Sequence, residues 1–368
     1  MNLPAMLPYH PRAQLIDEVW RVYDSGLANA ITLFAPRRQG KTLFVTKELL
    51  PSAEARRMPV CYLDLWQRRN KPELALTEGL EAAAAIRKPR WRLKSVKGSI
   101  AAGPAKVEAT GEAPQLEPQT ALENRLRDAL VALLPAKGTL LLVLDEFQAL
   151  AGTKTESFVA AFRTVLQQNS DRIRVFYTGS SRHALNTMFR RQRAPLFASA
   201  HPMRLPELRE DFSADRAAYL EQRIGQPVDA DALHRVFIRL RHTPAFLNSV
   251  VLIMLVRESA NVEEAFETWL DEQRAEGGSD FIPDLRDIDL AILQTLTSPN
   301  PDRIFASKTA AAISEALGRN ITTGQIQTAI TRMSKAHVIA PTGEPGGYSV
   351  DDPSLYVYLT EIVPRGVR

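Results

Sequence analysis

Chemistry enters this sequence first at Ala35-Pro36-Arg37-Arg38-Gln39-Gly40-Lys41-Thr42. A loop of this pattern, set between a strand and a helix, turns backbone N–H groups and a helix N-terminus onto a phosphate anion. Gly40 admits close backbone approach, Lys41 has the reach for β- and γ-phosphates, and the Thr42 hydroxyl suits Mg²⁺. The run fits a phosphate-binding P-loop at all but its first position, where Ala35 stands in place of glycine. The expected ATP contacts are therefore Pro36, Arg37, Arg38, Gln39, Gly40, Lys41, Thr42 and the next residue, Leu43.

About a hundred residues on, Leu140-Leu141-Leu142-Val143-Leu144 ends in Asp145-Glu146. An unbroken apolar run is how a parallel strand buried on both faces reads, and ligands sit at the carboxyl ends of such strands. Asp145 is placed to organise a Mg²⁺ shell and Glu146 to polarise an attacking water as general base. The other reading of this run alone is a core strand followed by an acidic loop. The loop upstream decides for a Mg²⁺–ATP site.

These groups need a scaffold, and the chain alternates as an α/β core must. Pro11 to Gly26 is amphipathic, with Leu15, Val19, Trp20 and Tyr23 on one helical face. Ala30 to Phe34 reads as a strand, and Thr42 to Leu50 as a helix stopped before Pro51. Strands are expected at 58–65, 172–179 and 202–205, with helices at 71–86, 119–135, 155–169 and 182–193. Residues 1–210 thus form a parallel three-layer P-loop NTPase core. Residues 211–278 read as all-helical, at 214–223, 229–240, 245–258 and 262–275, followed by a linker at Gly277-Gly278-Ser279. Residues 286–368 carry three helices, about 288–296, 308–317 and 322–336, and two short strands joined by a Gly/Pro turn, the pattern of a winged helix-turn-helix.

The alternation breaks at 87–118. Arg87, Lys88, Arg90, Arg92, Lys94 and Lys97 surround Trp91, and Gly98, Gly103 and Gly111 supply turns. This reads as an inserted β-hairpin whose cations and indole suit a nucleic-acid backbone and a stacked base. A solvated hairpin or an acidic partner would account for the same charges.

The bulk properties fit a globular protein of two or three domains. The 368 residues carry a net charge of +4, which permits nucleic-acid binding without demanding it. The single cysteine, Cys61, cannot form an intrachain disulfide and reads as a small buried residue. The first twelve residues lack the order of a secretory signal, and the most apolar stretch, Phe246 to Val256, is too short to span a bilayer. A cytoplasmic location without membrane contact is the expectation.

The chain resembles the archaeal-type P-loop ATPases, relatives of the STAND and AAA+ ATPases that carry a C-terminal winged helix. The resemblance rests on Pro36 to Thr42, on Asp145-Glu146, on Thr178-Gly179-Ser180-Ser181, on Ala194 to Phe197, on Thr243-Pro244-Ala245-Phe246-Leu247 and on Tyr348 to Tyr358. It covers nearly everything except 87–118. It implies that Thr178 senses the γ-phosphate, that residues 211–278 form a lid, and that Pro244 packs near the adenine. His242 departs from the family's glycine, and Ala198-Ser199 stands where relatives carry Gly-Arg. Candidates for an arginine finger acting on another subunit are then Arg182, Arg190, Arg191 and Arg193, although the Arg190, Arg191 and Arg193 cluster reads first as a solvated charged helix face.

Three functions compete. One is a DNA-associated ATPase in which nucleotide state moves lid against core. Another is a signalling or self-assembling ATPase whose winged helix binds protein. The last is a nucleotide-binding transcription regulator that does not hydrolyse ATP, against which Glu146 argues. The region 286–368 holds eight Lys/Arg and eight Asp/Glu, neutral for a domain meant to grip double-stranded DNA. Its third helix still offers Gln325, Arg332 and Lys335 as DNA contacts.

Overall fold

Five short apolar runs pair into one parallel sheet, in the order β2-β3-β4-β1-β5. These are β1 (Ala30–Phe34), β2 (Val60–Asp64), β3 (Leu140–Asp145), β4 (Ile173–Gly179) and β5 (His201–Arg204). The computed structural model describes residues 7–68, 70–86, 118–275, 285–298, 303–336, 338–342 and 346–362. The expected hairpin cluster (Arg87, Lys88, Arg90, Trp91, Arg92, Lys94, Lys97) and the linker at 277–279 lie outside them.

β3 is buried at every residue, as its unbroken aliphatic run requires. Register levels the strand ends. Phe34 lies opposite Gly179, and Asp64 opposite Asp145. The P-loop strand β1 and the acidic strand β3 are not neighbours, because β4 runs between them. Three adjacent carboxyl ends therefore face one crevice, and each brings a different polar residue.

Helix α1 (Ala13–Asp24) buries Leu15, Val19, Trp20 and Tyr23, the face read from its spacing. After the loop, α2 (Lys41–Phe44) runs into a wide π turn at Val45–Leu49 and on through α3 (Leu50–Ala55). Here the expected stop before Pro51 is corrected. The Leu50 N–H donates to the Val45 carbonyl, a five-residue step, and Pro51 falls in the first turn of α3 where its missing N–H is tolerated. Helices α4 (Pro72–Ala85) and α5 (Pro118–Leu133) cover one sheet face with α6 (Glu156–Gln168). Helix α7 (Arg182–Phe189) ends four residues earlier than expected, so Arg190, Arg191 and Arg193 lie in the following turns.

Beyond β5, α8 (Glu210–Ile224), α9 (Ala230–Arg239), α10 (Pro244–Val256) and α11 (Val262–Ala275) enclose a second core, with Leu233, Phe237, Leu247, Met254 and Phe266 at its centre. Helix α10 carries the most apolar stretch of the chain. Leu252 and Val256 leave one of its stripes exposed, at 59% and 75%. A last unit holds α12 (Asp287–Leu296), α13 (Ser307–Leu317) and α14 (Thr323–Lys335), with β6 (Ile339–Pro341) antiparallel to β7 (Tyr348–Val350). Its closing helix, α15 (Pro353–Val357), was not foreseen. Asp352 starts it by accepting hydrogen bonds from the Ser354 and Leu355 N–H groups. Among the described residues no helix is long and apolar enough to cross a membrane.

Candidate nucleotide site

The loop between β1 and α2 needs two left-handed residues, Arg38 at φ 66° and Gly40 at φ 89°. Glycine takes that conformation freely and arginine pays about 1 kcal/mol for it. Lys41 closes the loop upon itself. Its Nζ donates to the Ala35 and Pro36 carbonyls at 2.8 and 2.9 Å. The third donor of the ammonium remains for a phosphate, and 3.9 Å away stands Glu146 Oε1. Burial pushes the Lys41 pKa below its ordinary value, against the pull of Glu146 and Asp145.

Asp145 is 2% exposed and fully engaged. Its Oδ2 accepts from Thr42 Oγ1 and from Tyr62 Oη, both at 2.9 Å. Its Oδ1 accepts from Thr178 Oγ1. Burial and then Asp145 itself raise the Tyr62 hydroxyl, so it stays a donor. The next residue, Glu146, is left-handed (φ 54°), and its N–H donates to Thr178 Oγ1 and Asp145 Oδ1 at 3.2 and 3.1 Å. Thr178, expected to face a γ-phosphate, thus ties both carboxylate residues together. The Glu146 carboxylate accepts from Ser180 Oγ at 2.6 Å and from Gln148 Nε2. Asp64, level with Asp145, has its carboxyl raised by burial, with the Asp145 and Glu146 charges adding to it.

Arg37 and Arg38 each lie over an aromatic ring. The Arg37 guanidinium lies 4.5 Å from the Trp66 ring centre, and that of Arg38 lies 5.1 Å from Phe246 on α10. The buried Gln39 donates to Thr243 Oγ1 at 3.4 Å, beside the buried Pro244. Loop and four-helix unit are therefore coupled directly. Leu43 is half exposed one residue past Thr42.

Sequence reasoning passed over Arg12. It is 7% exposed, its Nη2 donates to the Gln39 carbonyl at 2.9 Å, and its guanidinium lies against Gly40. A side chain at position 40 would meet Arg12 Nη1 at 3.5 Å. The Arg12 N–H and the Tyr9 hydroxyl both donate to Glu48, so the segment before α1 braces the loop. Nothing in local periodicity marks this, because the contact spans the chain from residue 12 to residue 39.

The remaining candidates lie elsewhere. Arg191 and Arg193 line a groove with Leu150, Glu156 and Pro195, and Arg190 lines another with Phe197 and Arg204. Neither groove is lined by Lys41, Asp145 or Glu146. Arg182 opens α7. Gln325 accepts from the Thr322 N–H at 2.8 Å and so caps α14, while Arg332 pairs with the buried Asp289. Lys335 lines a cleft of about 610 Å³ with Arg37, Trp66, Ser180 and Asp351, beside the loop. Arg241 Nη1 donates to the Val350 carbonyl at 2.7 Å and Arg239 pairs with Glu361 at 2.7 Å, which docks the last unit on the helical one.

Hydroxyl and carboxylate meet at Thr42–Asp145, a hard-oxygen pair of the kind Mg²⁺ takes, and the left-handed Gly40 leaves the loop backbone free to approach a phosphate. A parallel sheet of this order, with such a loop after β1 and an acidic pair after β3, is an α/β P-loop NTPase fold. Solved structures agree. The Walker-type ATPase of Pyrococcus abyssi is similar at TM-score 0.59 and 15% identity, covering 96% of this chain and 99% of that one. The ADP form of the Aeropyrum pernix ORC2 protein is similar at TM-score 0.56 and 14% identity, covering 97% and 95%. Its ADPNP–ADP complexes match at TM-score 0.55 and 13% identity over the same shares. No protein-family model and no curated protein matches the chain.

Proposed function

We propose that this protein binds and hydrolyses ATP with Mg²⁺, as an AAA+/STAND-like switch ATPase. The observation that carries the reading is the convergence from three adjacent strand ends of Thr42, Asp145, Glu146 and Thr178, joined by hydrogen bonds, with Lys41 3.9 Å from Glu146 Oε1. The fold likeness to a Walker-type ATPase supports it.

The roles follow from the contacts. Loop N–H groups and Lys41 bind the β- and γ-phosphates. Thr42 and Asp145 would hold Mg²⁺, which supplies charge to a phosphoryl oxygen. Glu146 takes the proton of a water as its oxygen bonds to the γ-phosphorus. The bond from that phosphorus to the bridging oxygen breaks, and ADP departs with the charge that Lys41 neutralises. Arg38 and Gln39 carry a change at the loop to Phe246 and Thr243. In this reading α8–α11 form the lid and α12–β7 the winged helix.

A DNA-associated ATPase would place double-stranded DNA on α14 or on the basic segment at 87–97. Gln325 and Arg332 already serve the unit's own helices, and Lys335 faces the loop's cleft. Those contacts favour the alternative, in which the winged helix binds protein or a second copy of the chain. ATPase rate with and without duplex DNA, beside sizing with and without ATP, separates them. Stimulation by DNA supports the first, and ATP-dependent assembly without a DNA response supports the second.

A further inference from the structure

The base of the proposed reaction does not stand alone. Glu146 Oε2 is gripped twice, by Ser180 Oγ at 2.6 Å and by Gln148 Nε2. Gln148 Nε2 also donates to Ser180 Oγ at 3.0 Å, so the three polar groups close a triangle. The other carboxylate oxygen, Oε1, is the one that faces Lys41.

Three further features show that the triangle is built rather than incidental. Gln148 Oε1 is buried with no hydrogen-bond partner among the described residues, while the amide's N–H side donates to both other corners of the triangle. Gly179 is the residue against which that amide lies. A Cβ at position 179 would stand 2.6 Å from Gln148 Oε1 and 2.7 Å from Leu185 Cδ1. Glu146 itself is left-handed, a backbone state that costs a residue with a side chain about 1 kcal/mol or more. A turn from β3, a strand end of β4 and a missing side chain thus serve one oxygen.

We infer that Ser180 and Gln148 are positioning residues for the Glu146 carboxylate. They fix Oε2, and thereby aim Oε1 at the water that attacks the γ-phosphate. A carboxylate free to rotate would spend most of its time off that line, and misplacement by about 1 Å costs on the order of 100-fold in rate. Neither residue is assigned a contact with ATP, so the effect falls on turnover and not on binding. The inference rests on Glu146 being the base.

Steady-state ATP hydrolysis by the full chain tests it. Ser180→Ala and Gln148→Ala should each lower kcat about tenfold with KM for ATP unchanged. Ser180→Thr, which restores the hydroxyl, should recover most of the rate. The double variant should lose less than the product of the single losses, because both groups hold the same oxygen. Circular dichroism and binding of a fluorescent ATP analogue establish that each variant is folded. Wild-type kcat in both single variants, while Glu146→Gln is inactive, would overturn the triangle and leave the base in place. Wild-type kcat in Glu146→Gln would overturn the base and the triangle with it. A matching rise in KM would make Ser180 a nucleotide contact and also overturn the inference.

Discussion

At the scale of single residues, two arginine and lysine side chains have duties that charge alone does not reveal. Arg332 sits on α14 as a DNA contact should, yet its guanidinium holds Asp289, which has no exposure. Arg332 is itself about a third exposed, and without it the buried Asp289 keeps only the Arg286 N–H, so the loss is on the order of 1–2 kcal/mol. Arg332→Ala should therefore speed amide hydrogen exchange across α12 and α14, and unchanged exchange would return Arg332 to the surface. Lys41 makes the opposite point. Its pKa is lowered from the ordinary 10.5, burial being the main cause. A lysine with lowered pKa loses its proton earlier as pH rises, and ATP needs the charged form. ATP affinity should thus begin to fall below pH 10.5, measured by titration from neutral to alkaline pH. Affinity constant up to that value would remove Lys41 from the phosphate.

At the scale of elements, the strand ends matter more than the helices. β4 separates the loop strand from the acidic strand and delivers Thr178, Gly179 and Ser180 between them. Gly179→Ala brings a methyl to 2.6 Å from Gln148 Oε1 and should cost about 1–3 kcal/mol in urea unfolding, with loss of ATPase activity. An alanine variant of wild-type stability would mean that the Gln148 amide moves aside freely. The loop, β3 and the β4 strand were legible because each is a local pattern: a glycine-lysine-threonine turn, an aliphatic run with two carboxylates, and a strand ending in Thr-Gly. Arg12, Tyr62 and Gln148 were not, since their partners are set by which strands pair and by where the first helix packs. The continuation through Pro51 was hidden for a local reason, a π turn that sequence spacing does not signal.

At the scale of the whole molecule, the units meet at the loop. Arg38 and Gln39 reach the four-helix unit, Arg241 joins that unit to the C-terminal one, and Lys335 and Asp351 line the cleft beside Arg37. This convergence was not readable from composition, because it depends on how the units dock on one another. If the basic segment at 87–97 grips DNA, replacing Arg90, Arg92, Lys94 and Lys97 with alanine should weaken binding and flatten its dependence on salt, since released counterions set that slope. An unchanged slope would refute the role, and loss of binding only in Lys335→Ala would move the DNA site to α14.

In the proposed function, turnover depends on Glu146 acting as the base. The most direct test compares wild type with Glu146→Gln in two assays, ATP binding and ATP turnover. The amide keeps the side chain's size but cannot take a proton from water, and losing a general base typically costs 100- to 10,000-fold. Equal ATP affinity with turnover lower by at least about 100-fold is the expected result. Equal turnover in the two proteins would contradict it.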